Sequence, residues 1–130
     1  MSGAAQAVQA ALVTALAAAL AGDVSGVFDG PPAQAPYPYV AIGESIGSDW
    51  SHKTGRGREH RLAITIWDDG ASAARLHGLM AEAEKAIEAM ARDLDGHRVA
   101  SLVFLRSRIV RSATGPWAGL IEYRARTLEV

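Results

Sequence analysis

The chain has no cysteine, which excludes disulfide staples, thiolate zinc sites and thiol catalysis together and agrees with a reducing compartment. It has no surplus of charge: 13 Lys plus Arg stand against 14 Asp plus Glu, a formal net charge of -1. Bulk attraction to nucleic acid or to an anionic membrane is therefore missing, and any such contact must come from a local patch. Residues 1–22 hold no charged side chain. The stretch "ALVTALAAALAGD" thus has the outline of a secretory apolar region with a small-residue cleavage site, but it lacks the basic segment that such signals place in front. Ten of the residues from Ala4 to Ala21 are alanine, which favours helix strongly while leaving the stretch weakly hydrophobic for membrane insertion. The expectation is the first helix of a soluble domain, with Val8, Leu12, Leu16 and Leu20 as its apolar stripe and Gly22 as its left-handed C-terminal cap.

What is present amounts to one domain: 130 residues suffice for a single buried core and argue against a two-domain enzyme. After the first helix, "GVFDGPPAQAPYPYV" holds Pro31, Pro32, Pro36 and Pro38 and is expected to be an extended connector, since each proline fixes the chain and removes a donor. "YVAIGE" predicts a short strand with Val40 and Ile42 on one side. "HRLAITIWD" predicts another, with Leu62, Ile64 and Ile66 on one face and Arg61, Ala63, Thr65 and Trp67 on the other. From about Ser72 to Leu94 the period becomes helical, with Leu76, Leu79, Met80, Ala83, Ile87, Met90 and Leu94 on one stripe. Asp69 or Ser72 is the expected N-cap, and Gly96 the stop. "RVASLVFLRSRIV" and "WAGLIEYRARTLE" predict two more strands around a turn at "RSATGPW".

The order helix, strand, strand, helix, strand, strand implies an α+β domain, a mostly antiparallel sheet of about four strands with helices on one face. The opposite face then carries Glu44, Arg61, Thr65, Glu122, Arg124 and Arg126. Plain alternation along the third strand sets Arg106 and Arg108 beside Leu102 and Phe104, apolar on both sides for part of its length. Two readings of this face stay open: a solvated surface, or one covered in part by another subunit.

Enzyme signals fail one by one. "GESIG" satisfies the G-x-S-x-G pattern at Ser45, but no helix follows to lift the serine above a parallel sheet. "GRGREH" precedes its strand instead of opening a helix, so it is no phosphate loop. The four histidines, at 52, 60, 77 and 97, show no metal-ligand spacing, and Glu82, Glu84 and Glu88 fall on the polar side of the second helix. No catalytic residue, metal site or cofactor is expected.

The segment at about 48–60 is the remaining signal. Lys53, Arg56, Arg58 and Arg61 gather positive charge while Gly55 and Gly57 leave the backbone adaptable, and Trp50 supplies an aromatic anchor. Such a flexible basic arm suits phosphate contacts, insertion into a partner protein, or a solvated loop.

The succession "VFDGPPAQAPYPYVAIGE", "DWSHKTGRGREHRLAITIW", an amphipathic helix, "LDGHRVASLVF" and "GLIEYRAR" resembles the tail terminator, or tail completion, proteins of long-tailed phages and phage-like gene transfer agents. The resemblance covers almost the whole chain. It implies a structural virion protein without enzymatic activity, assembled in the host cytoplasm into a ring of six copies at the head–tail junction. Such a ring caps the tail tube, meets the tube protein and the head-to-tail connector, and passes DNA through its lumen without reading sequence or touching a membrane. On that footing Asp49, Trp50, Lys53, Arg56, Arg58, Glu59 and His60 are the candidate assembly arm. Arg61, Glu122, Arg124 and Arg126 are the candidate interface or lumen face.

Overall fold

The computed structural model of the chain describes residues 3–43, 45–111, 113 and 115–130. Glu44, assigned above to the free face, and Ser112 and Thr114 of the "RSATGPW" turn lie outside the described residues. The alanine-rich start forms helix α1 (Ala4–Ala19), which buries Val8, Leu12 and Leu16, with Leu20 just beyond. Gly22 follows at φ 83°, the left-handed conformation that a glycine reaches without a Cβ clash. Among the described residues no helix is long and apolar enough to cross a membrane.

Strands β1 (Val27–Asp29), β2 (Tyr39–Ile42), β3 (Ile46–Asp49), β4 (Gly57–Asp68), β5 (Asp93–Leu94), β6 (His97–Arg111) and β7 (Trp117–Glu129) form one curled sheet. Its order is β1-β2-β4-β7-β6-β5, with β3 beside the first residues of β4. Among the described strands only β1 and β2 pair in parallel. The α+β class holds, but the expected four strands become seven and the order becomes α-β-β-β-β-α-β-β-β. The strands missed are short. β1 occupies three residues at the head of the proline-rich connector, β5 two, and β3 a Gly-Ser segment with no apolar alternation.

Helix α2 spans Ala74–Glu88, six residues short of the expected end. Asp93 and Leu94 belong to β5 instead, and Gly96, at φ 75°, turns the chain into β6. Neither cap candidate serves as expected: Ala73 is the N-cap, without a side-chain hydrogen bond. Asp68 steers this approach. Its buried carboxylate accepts hydrogen bonds from Arg75 in the first turn of α2, and Trp117 Nε1 donates to Gly70 O at 3.0 Å.

Both helices cover one face of the sheet, where Leu12 and Leu16 join Val40, Ile64, Ile66, Leu76, Ile87, Ile121 and Tyr123 in a single core. A Cβ on Gly119 would stand 2.6 Å from Met80 Sδ and 3.0 Å from Leu76 Cδ1. The missing side chain at that position is what lets α2 lie so close on β7. The other face carries no helix among the described residues.

Candidate assembly interface

The segment read as a flexible arm is a β-hairpin. Asp49 pairs with Arg58, Ser48 with Glu59, Gly47 with His60 and Ile46 with Arg61. Trp50 N–H donates to Gly57 O at 2.9 Å, and a bridge between His52 and Gly55 closes the tip. The chain is therefore paired up to a four-residue turn; the glycines and the lack of apolar alternation hid the strands. Gly57 is fixed by its surroundings, since a Cβ there would meet Trp50 O at 2.5 Å and Thr127 O at 3.0 Å.

The seven arm candidates separate into three groups. Asp49, Lys53, Arg56 and Arg58 are exposed on the hairpin. Trp50 and Glu59 tie the hairpin to the sheet: Arg126 lies over the Trp50 ring at 5.2 Å and donates from Nε to Glu59 Oε1 at 2.9 Å. His60 is a correction. It is 0% exposed on the helix side of β4, with Nε2 2.9 Å from Thr127 Oγ1, and it has no surface to offer a partner. Burial chiefly, aided by Arg58 and His97, holds its imidazole below the usual pKa.

The helix-free face is built of cross-strand rows. In one, Ser48 on β3, Glu59 on β4, Arg126 on β7 and Ser101 on β6 stand side by side; in the next, Ile46, Arg61, Arg124 and Val103. A third sets Ala63, Glu122 and Arg106 abreast, and a fourth Thr65, Leu120 and Arg108. All four predicted face residues, Arg61, Glu122, Arg124 and Arg126, thus share one surface. Arg106 pairs with Glu122, and this contact, together with nearby Arg61 and Arg108, holds the Glu122 carboxyl below its ordinary range. Arg124 lies 3.9 Å from Glu59, and its buried Nε has no hydrogen-bond partner among the described residues.

Arg106 and Arg108 do not share a side with Leu102 and Phe104, contrary to plain alternation. The register shift between Val99 and Ser101 turns the stretch Ser101 to Phe104 over, and the shift between Phe104 and Arg106 restores the original facing. Leu102 and Phe104 pair with Ala125 and Tyr123 toward the helices, whereas Arg106 and Arg108 pair with Glu122 and Leu120 on the free face. A bulge moves the following side chains to the opposite side until a second one moves them back. No sequence signal marks it, as β6 has no glycine at either shift. The free face is rich in arginine: Arg61, Arg98, Arg106, Arg108, Arg124 and Arg126 against Glu59 and Glu122.

No curated protein matches the chain. Solved structures share the fold, among them the following two. A chain from the virion of a native gene transfer agent particle is 28% identical, with a TM-score of 0.74, over 98% of this chain and 99% of that one. The bacteriophage SPP1 gp17 protein is 22% identical, with a TM-score of 0.62, over 98% of this chain and 91% of that one. The model of the family described as tail completion protein gp17 matches residues 6–128, nearly the whole chain, including α2, the hairpin and all but the first two residues of α1, and the chain belongs to that family.

Proposed function

We propose that this tail completion protein works as a ring of six copies that caps the tail tube, ends tube growth and presents the surface on which the head is joined. Membership of the tail completion family, over residues 6–128, carries the reading. The similarity to a chain of a gene transfer agent particle supports a place at the tail end of a phage or phage-like particle. The architecture fits the role in two ways. A sheet covered by helices on one face only leaves the other for neighbours or a lumen, and a paired hairpin carries Lys53, Arg56 and Arg58 outward. In this reading the hairpin at 48–60 engages the adjoining layer, tube protein or connector, while Arg61, Glu122, Arg124 and Arg126 line an inter-subunit or lumenal surface. DNA passes without sequence-specific contact.

Electron microscopy of particles from cells lacking the gene, beside a complemented strain, tests the proposal by tail length and head attachment. Overlong or unjoined tails next to separate heads, restored by complementation, are expected; normal infectious particles would overturn it. The arginine-rich free face favours one alternative, a nucleic-acid-binding module. That alternative predicts DNA binding by the isolated subunit with a steep salt dependence.

A further inference from the structure

The two edges of the sheet differ in length, direction and charge. On β6, only His97 and Arg98 pair with β5, and Val99 N–H donates to Arg92 O at 2.7 Å. From Ala100 to Arg111 the outer side of β6 has no strand among the described residues, an open row of backbone donors and acceptors roughly 35 Å long. At the opposite edge β3 pairs only with β4, and all four of its residues are exposed.

We propose that the open edge of β6 receives β3 from a second copy of this chain, so that each subunit's sheet continues into the next. This rests on the ring reading and specifies how the ring is joined. Direction permits it. β3, β4, β7 and β6 are each antiparallel to the next, so the two edge strands of one subunit run oppositely. A copy brought round by rotation about an axis along the strands meets β6 with an antiparallel β3, and the alternation continues across the joint.

Charge selects this pairing over the alternative of β6 against β6. Residues 97–111 carry Arg98, Arg106, Arg108 and Arg111 and no acidic side chain, while residues 21–51 carry Asp23, Asp29, Glu44 and Asp49 and no Lys or Arg. Two β6 edges would set two arginine rows together, whereas the edge strand β3, which carries Asp49, comes from the acidic segment. Apolar groups agree with the same joint. Ile46 on β3 is 60% exposed, and Val103 and Val110 on β6 are 39% and 46% exposed. By register all three project on the helix-free side, where joining the edges would bring them within reach of one another.

The absence of native cysteine makes crosslinking clean. Full-length protein carrying Ser48→Cys together with Val103→Cys, and the two single variants, are treated with a short bis-maleimide, both as purified protein and in assembled particles. Native mass spectrometry of the untreated samples gives the subunit count. The double variant is expected to give a ladder of dimer, trimer and higher products, and neither single variant any dimer. Val110→Cys in place of Val103→Cys provides a second register and a second chance of correct folding. Multimers by mass spectrometry with no ladder from either pair would overturn the edge joint and leave the ring standing. Dimers from the β6 single variants alone would show like-edge pairing and also overturn it. Monomers in both settings would overturn the ring and the joint together. Charge reversal is an independent check. Asp49→Arg, which removes the acidic group of β3 and sets a cation against the arginine-bearing β6 edge, is expected to weaken assembly on the order of tenfold; unchanged assembly in that variant would refute the charge selection.

Discussion

At the residue scale, His60 links the hairpin to the core through a titratable group. Its ring is fully buried and contacts Thr127 at 2.9 Å, and its pKa lies below 6.5 because burial penalises the charged form. The unfolded chain therefore takes up the proton first as pH falls, so stability drops as pH passes below about 6.5 and continues to drop toward the lower folded value. Thermal melting between pH 7.5 and 5.5 should show a falling midpoint. His60→Gln keeps a polar contact for Thr127 and should flatten that stretch while lowering the midpoint at pH 7.5 by only a few degrees. An unchanged pH slope in H60Q would place the titration elsewhere. Its neighbours in the hairpin act differently: Glu59 and Trp50 hold Arg126 from two sides, which fixes the hairpin against the free face without burying a charge.

At the scale of elements, what was legible in the sequence depended on length and on unbroken period. α1, β4 and β7 could be read because their apolar positions repeat without interruption, Val8 to Leu16 in α1, Leu62 to Ile66 in β4 and Ile121 to Ala125 in β7. β1, β3 and β5 could not, because two to four residues carry no period, and β6 was misread because its two bulges turn Leu102 and Phe104 away from the side of Arg106 and Arg108. The face of Arg61, Glu122, Arg124 and Arg126 was legible since β4 and β7 pair without a register shift. The hairpin was recognised as a unit but not as strands. Its pairing gives a prediction. Alanine at Trp50, Lys53, Arg56 and Arg58 removes side chains from the hairpin while leaving the backbone ladder and the core of Tyr123, Ile64 and Ile121 intact. The quadruple variant should keep a circular-dichroism spectrum and melting cooperativity close to the parent while head joining in complementation falls at least tenfold, the expected sum of several interface contacts. Normal yield of joined particles with this variant would remove the hairpin from the interface.

At the scale of the whole molecule, a near-neutral chain separates its charges by region. The formal charge of -1 conceals an arginine-bearing β6 edge and free face, and an acidic segment from Asp23 to Asp49 along the other side of the sheet. A subunit of this kind has little bulk repulsion toward its own copies and a built-in preference for opposite edges, so its association is governed by screening as well as by apolar contact. Raising sodium chloride from about 0.05 to about 0.5 M shortens the Debye length from roughly 14 to roughly 4 Å. Sedimentation velocity over that range should show purified protein shifting toward smaller species, with the larger change in on-rate. Asp49→Asn, which removes one acidic group from the β3 edge, should lower the salt dependence along with the affinity. Assembly that strengthens with salt would mean that apolar burial alone holds the subunits together, and the charge asymmetry of the two edges would then play no part in joining them.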